Sequence, residues 1–206
     1  MTTSGRIELM APAGNFESMQ AALDNGCDSI YFGVEQLNMR ARATVNFVLD
    51  DLPEIARRCN EKNVRTYLTL NTIIYDHDLS IVKTLLTKAK EAGITAVIAS
   101  DQAVIMTART IGIEVHISTQ LNVTNIETVK FYAMFADTIV LSRELSLRQV
   151  KKITDDIEKE QIKGPSGNLV EIEIFGHGAL CMAVSGKCYL SLHSHNSSAN
   201  RGACKQ

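Results

Sequence analysis

The sequence has no tryptophan, only three prolines and no strong excess of charge of either sign. Lysine and arginine together number 21 against 23 aspartates and glutamates, which gives a net charge of −2. Proteins that coat nucleic acid by bulk electrostatics are usually strongly basic, so this balance argues against that class. It remains compatible with an enzyme that meets RNA through one local basic patch.

Long apolar runs are also missing. No stretch approaches the roughly 18–20 apolar residues that a membrane span needs. Residues 1–14 lack a basic region followed by an apolar core, so we expect no signal peptide and a cytoplasmic protein without a membrane partner. The hydrophobic fraction of 45% and the charged fraction of 21% are those of an ordinary globular protein.

From Ile7 onward, short apolar stretches alternate with longer amphipathic ones, which predicts seven strand–helix units. Strands that are each followed by a helix run parallel, with right-handed crossovers. An open doubly wound sheet and a (β/α)8 barrel both have this order. No G-x-G-x-x-G motif follows the first strand, so we predict an incomplete α/β barrel of the TIM type, with the barrel portion at 1–176 and a cysteine-containing segment at 177–206. The predicted strands are 7–11, 28–32, 65–71, 96–99, 114–118, 138–141 and 170–175.

The predicted helices have recognisable ends. Asn15 should cap the first helix, and Pro53 should lie just inside the second, where its missing N–H costs nothing. For the fifth helix we predict a capping box that pairs Thr124 with Glu127. The sixth helix should present one apolar face formed by Leu147, Val150, Ile153 and Ile157.

Several predicted strands alternate polar with apolar residues, although parallel strands are normally apolar on both faces. In a single strand, this alternation equally fits one wet face of an exposed antiparallel sheet. With a helix after every strand, the apolar residues should face the helices and the polar ones the barrel axis. Burying such groups without partners would cost about 1–3 kcal/mol each, so we predict a polar-lined pocket. The polar positions are Glu8, Tyr67, Thr69, Asn71, His116, Ser118, Gln120, Glu171, Glu173 and His177.

Sites in such barrels lie at the C-terminal ends of the strands, and the polar residues there are the candidate functional residues. We assign acid–base or pocket-lining roles to His116, Gln120 and His177. Arginine binds phosphate or carboxylate through paired hydrogen bonds, which makes the loop at 33–47 a candidate binding loop, with an ordinary solvated loop as the alternative. The candidate substrate-binding residues are Asn38, Arg40, Arg42, Asn71, Arg143 and Glu144.

The chain has five cysteines, and an odd number in a cytoplasmic protein indicates free thiols or metal ligands rather than disulfides. Cys27 and Cys59 are most simply small buried hydrophobic residues. Cys181, Cys188 and Cys204 fall in a final stretch rich in glycine, serine, histidine and asparagine. Thiols that converge there would suit an iron–sulfur cluster or a zinc ion, and chance thiols are the alternative. For zinc, the missing ligand could be His177, His193 or His195.

Residues 173–181 (EIFGHGALC) and 186–191 (GKCYLS) resemble the signature of the collagenase-like peptidase family, the unclassified peptidase family thirty-two. Further matches are 10–14 (MAPAG), 31–33 (YFG), 142–144 (SRE), 200–204 (NRGAC) and the loop with Arg40 and Arg42. The resemblance covers essentially the whole chain. It implies a barrel fold and, in some branches, a four-iron four-sulfur cluster held by four cysteines, three of which match Cys181, Cys188 and Cys204. We expect the fourth beyond Gln206, in a longer enzyme of which this chain is an N-terminal piece.

Those branches resemble RNA hydroxylases, which install 5-hydroxyuridine in tRNA or 5-hydroxycytidine in ribosomal RNA, with prephenate as an implied metabolite. The resemblance therefore predicts an iron–sulfur enzyme that hydroxylates uridine in tRNA. The alternatives are a metal- or thiol-dependent peptidase, as the family's older naming implies, and an iron–sulfur accessory subunit of quinone hydroxylation. The sequence contains neither a G-x-S-x-G elbow nor an H-E-x-x-H motif, and both are common peptidase signals.

Overall fold

In the computed structural model, the chain forms a curled sheet of seven parallel strands with helices between them. The structure describes residues 7–35, 37–38, 47–178 and 181–205. The strands pair strictly in chain order, whereas a doubly wound sheet would reverse direction at a switch point. The predicted incomplete (β/α)8 barrel is therefore confirmed, and we call it the half-barrel. Its strands are β1 (Met10–Pro12), β2 (Ser29–Phe32), β3 (Arg65–Leu70), β4 (Ala96–Ala99), β5 (Glu114–Ile117), β6 (Thr138–Val140) and β7 (Glu171–Glu173).

The six described helices that alternate with the strands cover the outer face of the sheet, and a seventh follows β7 within the cysteine-containing segment. Short 3-10 turns precede or follow some of them, including Asp76–Asp78 after β3 and Thr119–Leu121 after β5. No helix in the described ranges is long and apolar enough to cross a membrane. The helices are α1 (Phe16–Asp24), α2 (Leu52–Glu61), α3 (Leu79–Ala92), α4 (Gln102–Ile111), α5 (Ile126–Ala133), α6 (Leu147–Glu160) and α7 (Leu190–His195).

The helix caps lie where the sequence predicts them, with one exception. Asn15 caps α1, and its Oδ1 accepts a hydrogen bond of 2.8 Å from the backbone N–H of Ser18. The predicted capping box at Thr124 is wrong, because Asn125 caps α5 and accepts from the N–H of Thr128 at 3.0 Å. Asparagine is at least as good an N-cap as threonine, so the helix begins one residue later than predicted.

The main hydrophobic core lies between the outer face of the sheet and the helices. Alternate strand residues such as Ile30, Leu68 and Ile117 are fully buried there. Cys27 and Cys59 belong to this core, as predicted, and burial raises the pKa of the Cys59 thiol to about 11. Side chains alternate between the two faces of a strand, and the apolar ones face outward. The polar residues of the same strands therefore lie on the inner face.

Most strands are one residue shorter than predicted, β7 covers Glu171–Glu173 rather than 170–175, and two further differences concern β1 and α6. β1 begins at Met10 rather than at Ile7, and Ile7 and Leu9 are exposed. The apolar face of α6 starts one turn later than predicted. Val150, Ile153 and Ile157 pack on the core, whereas Leu147, the first residue of the helix, is 76% exposed.

Candidate functional site

The inner face of the half-barrel contains a network of polar side chains, as the alternation predicts. Tyr67 is 1% exposed and its hydroxyl donates a 2.8 Å hydrogen bond to Glu8, which also pairs with Arg65. The ring of Tyr67 lies 4.5 Å from that of His116, between centroids. β4 is the exception, because it contributes Ala96 and an isoleucine to this face. The buried polar groups therefore find partners mainly in one another.

His116 lies within this inner network and is 4% exposed. Its Nε2 is 3.3 Å from a carboxylate oxygen of Glu114, and the hydrogen bond with His116 lowers the pKa of Glu114. Its Nδ1 has no hydrogen-bond partner in the described part of the chain. The imidazole is thus held through Nε2 while Nδ1 is buried without a described partner, and the acid–base role of His116 stays a prediction.

Glu173 gives this inner network a testable pH dependence. Burial raises the pKa of its carboxyl above the ordinary value, and the nearby His116 opposes the shift. Because the pKa of Glu173 is raised in the folded state, the protonated carboxyl contributes fully to stability at pH values below the ordinary pKa of glutamate. This contribution is lost as the pH rises through the raised pKa. We expect the free energy of unfolding to fall less between about pH 4.5 and neutral pH in Glu173→Gln than in the wild type, as measured by urea unfolding.

The matched control for that experiment is Glu171→Gln, which changes the exposed glutamate two residues earlier on the same strand. This variant should retain the wild-type dependence of stability on pH. If Glu173→Gln and the wild type have parallel profiles, the half-buried carboxyl of Glu173 does not contribute the expected linkage.

Three carboxamides gather at the mouth, by which we mean the C-terminal ends of the strands. Asn71 follows β3 and donates from Nδ2 to Oε1 of Gln120 over 3.4 Å, and the Ser118 hydroxyl donates to the same oxygen. Asn122 donates from its Nδ2 to the backbone oxygen of Ser185 over 3.3 Å. We call Asn71, Gln120 and Asn122 the carboxamide cluster. The structure thus brings together two of the predicted residues and adds Asn122, which the strand-end rule could have included.

The first part of the cysteine-containing segment (177–206) rests on this mouth through Ser185, which is 1% exposed. Its backbone N–H donates to Glu144 at 3.0 Å, and Arg143 donates from Nε to its hydroxyl at 3.4 Å. The next residue, Gly186, has φ +73 and packs directly on the backbone of Gln120. Arg143 and Glu144 are therefore positioned at the mouth as predicted, and the described contacts engage them with the cysteine segment.

The later part of the segment is anchored on the loop that follows β3. The backbone N–H of Ile73 donates to the carbonyl of Asn200 at 3.0 Å, and Asn200 donates from its side chain to the carbonyl of Cys188 at 3.2 Å. Arg201 forms a 2.7 Å ion pair with the buried Asp78. These contacts fix the segment on two sides of the mouth.

The three cysteines of the segment differ in exposure. Cys181 and Cys188 are half-buried and Cys204 is exposed. The backbone of Ala183 and then the guanidinium of Arg143 lower the pKa of Cys181 by hydrogen bonding. Within residues 7–35, 37–38, 47–178 and 181–205, no three histidine, cysteine, aspartate or glutamate side chains form a group that could hold a metal ion. The described residues do not complete a metal or cluster site, so the three thiol ligands stay a prediction.

Beside those already placed, the structure describes two more predicted site residues, His177 and Asn38. His177 is exposed. Asn38 is buried, donates to the carbonyl of Val34, and lies so close to Gly33 that a Cβ there would be 2.5 Å from its Cγ. Its substrate-binding role stays a prediction. Arg40 and Arg42 lie outside the described residues.

The sequence matches known proteins along almost its whole length. The profile of Peptidase family U32 matches residues 14–206. A Porphyromonas gingivalis protein named "Collagenase" is 57% identical over 97% of this chain and 48% of its own length. The "tRNA hydroxylation protein P1" of Bacillus subtilis is 31% identical over 97% of this chain and 45% of its own length. The chain therefore spans about half the length of these curated relatives.

The fold also matches a solved structure, that of the U32 peptidase Mk0906. The TM-score is 0.58, and the match covers 84% of this chain and 70% of the solved one. The sequence identity of 14% limits this likeness to the fold.

Proposed function

The chain belongs to peptidase family U32, and on this basis we propose that the full-length protein hydroxylates a pyrimidine base of RNA, with uridine in tRNA as the substrate. The relatives of this chain include a tRNA hydroxylation protein. The observation that carries the proposal is the carboxamide cluster at the mouth. A carboxamide offers a donor and an acceptor side by side, which suits the N–H and C=O groups at the edge of a pyrimidine.

Arg143 lies beside this cluster and supplies the positive charge in the proposal. Its Nε contacts Ser185, and its guanidinium has further N–H groups that can bind a phosphate or a carboxylate. We propose that Arg143 binds the RNA backbone or the carboxylate of a small metabolite such as prephenate. We further propose a cytoplasmic location, where tRNA is available, and a cluster that takes Cys181, Cys188 and Cys204 as ligands.

The experiment replaces the chromosomal gene with variants of the full-length gene and measures modified nucleosides in total tRNA by mass spectrometry. Deletion should remove a hydroxylated uridine, and the wild-type gene should restore it. We expect Gln120→Ala to lower its yield about 10- to 100-fold, because the amide that accepts hydrogen bonds from Asn71 and Ser118 is lost. The matched control is Gln102→Ala, at an exposed position on α4. An unchanged nucleoside profile after deletion would refute the proposal.

A second candidate function is thiol-dependent proteolysis. The observation that favours it is the 57% identity to a protein named "Collagenase", and Cys181 at the mouth is a possible nucleophile. The test is hydrolysis of gelatin by the strictly purified full-length protein. Hydrolysis that disappears in Cys181→Ala, together with an unchanged nucleoside profile after gene deletion, would establish the peptidase and exclude the hydroxylase.

A further inference from the structure

An exposed pair of stacked aromatic rings lies at the mouth, outside the carboxamide cluster. Tyr75 and His77, in the loop after β3, have ring centroids 5.8 Å apart and planes within 13° of parallel. Tyr75 is 54% exposed and the side chain of His77 is 74% exposed. Burial therefore does not explain this arrangement, since neither ring contributes to the core.

The pair is positioned by the cysteine segment. The guanidinium of Arg201 lies 4.7 Å from the centre of the Tyr75 ring and also forms the 2.7 Å ion pair with Asp78. The hydrogen bond from Arg201 lowers the pKa of Asp78, so its carboxylate stays charged and paired. Arg201 thus connects the β3 loop, which contains the two rings, to the cysteine segment.

An open cleft of about 510 Å³ adjoins the rings and is lined by Ile74, Tyr75, Asp76 and His77. A flat ligand could stack here, because the two parallel rings present an aromatic surface to solvent. The carboxylate of Asp76 would repel a phosphate in this cleft. The cleft therefore offers a ligand stacking rather than charge attraction. Nucleobases stack on aromatic side chains whatever their sequence, since every base has a π face.

We propose that Tyr75 and His77 form a stacking platform for an unpaired nucleobase of the RNA substrate, next to the base that enters the mouth. This inference rests on the proposed function. The platform and the carboxamide cluster share one loop, in which Tyr75 follows Asn71 by four residues. Their Cα atoms are therefore at most about 14 Å apart, so two bases of one strand can occupy both places.

The test is the affinity of the full-length protein for single-stranded oligouridylate, measured by fluorescence anisotropy. Tyr75→Ala and His77→Ala should each weaken binding about tenfold, whereas Tyr75→Phe should keep near wild-type affinity because it retains the ring. Binding to a fully paired RNA duplex should change little in all three. Phe131→Ala is the matched control, because Phe131 is 52% exposed on the outer helix α5 and its ring contacts the neighbouring rings edge to face rather than in a stack.

The outcomes separate the platform from the proposed function. If the wild type binds the single strand and Tyr75→Ala binds it equally well, the platform is wrong, while the nucleoside test of the proposed function stands independently. If the wild type binds no RNA and deletion leaves the nucleosides unchanged, both fail. If the tyrosine and histidine variants lose affinity for gelatin and not for RNA, the rings bind a peptide and the platform is likewise refuted.

Discussion

Replacing Gly186 with alanine should lower the activity of the full-length protein by more than about 100-fold while leaving the half-barrel folded. A Cβ at this position would lie 1.9 Å from the carbonyl oxygen of Gln120 and 2.7 Å from its carbonyl carbon. Both atoms are backbone, so no rotation of a side chain can relieve the contact. The left-handed φ of +73 adds roughly 1–2 kcal/mol for any residue with a Cβ.

The activity falls because this contact seats the cysteine segment on the Gln120 turn at the mouth. Moving Gly186 away from Gln120 also moves Ser185, and with it the hydrogen bonds to Arg143 and Glu144. Misplacement of a site by about 1 Å can cost a hundredfold in rate. The direct structural measurement is limited proteolysis, which should cut within residues 181–205 far faster in the variant than in the wild type.

Gly176→Ala is the matched control for this prediction. Gly176 immediately precedes the segment, a Cβ there would meet nothing within 4 Å, and its φ is not left-handed. This variant should keep wild-type activity and protease resistance. If Gly186→Ala behaved in the same way, the cysteine segment would not be seated on the Gln120 turn.

The sequence predicts the half-barrel well because the signals for it are local and repeated. Each amphipathic stretch has its own cap or stop, such as Asn15. In each strand, the alternation of apolar and polar residues separates the outer face from the inner one. That alternation correctly placed Tyr67 and His116 on the inner face. One-residue errors arise where neighbouring residues compete, as Thr124 and Asn125 do for the same cap.

The contacts that assemble the mouth are much harder to predict. Ser185 and Glu144 are 41 residues apart, and Arg201 and Asp78 are 123 apart. They join loops, which have no periodicity from which a partner could be inferred. The strand-end rule named Gln120, Asn71, Arg143 and Glu144 as single candidates, but it could not show that the cysteine segment binds among them. The stacked rings of the β3 loop, likewise, gave no signal in the sequence.

The other large effect concerns the thiols. We expect Cys181→Ser, Cys188→Ser and Cys204→Ser each to lower the iron and sulfide content of the anaerobically purified full-length protein by at least about tenfold. A cluster needs several thiolates at one point, and serine is a poor substitute for a thiolate ligand. Cys27→Ala and Cys59→Ala are the matched controls, because these thiols are buried in the core and pack there as hydrophobic side chains. They should lower thermal stability and leave the iron unchanged.

The exposures of the three thiols sharpen this prediction. The described residues do not gather three metal-binding side chains, and Cys204 is exposed, so the segment must rearrange or meet further ligands when it binds metal. Metal loading should therefore slow proteolysis within residues 181–205 in the wild type, and it should do so much less in Cys204→Ser. Stoichiometric zinc without iron in the wild type would replace the cluster with a zinc site. Iron that persists in all three serine variants would show that these thiols are not its ligands and would leave Arg143 and the carboxamide cluster as the basis of the site.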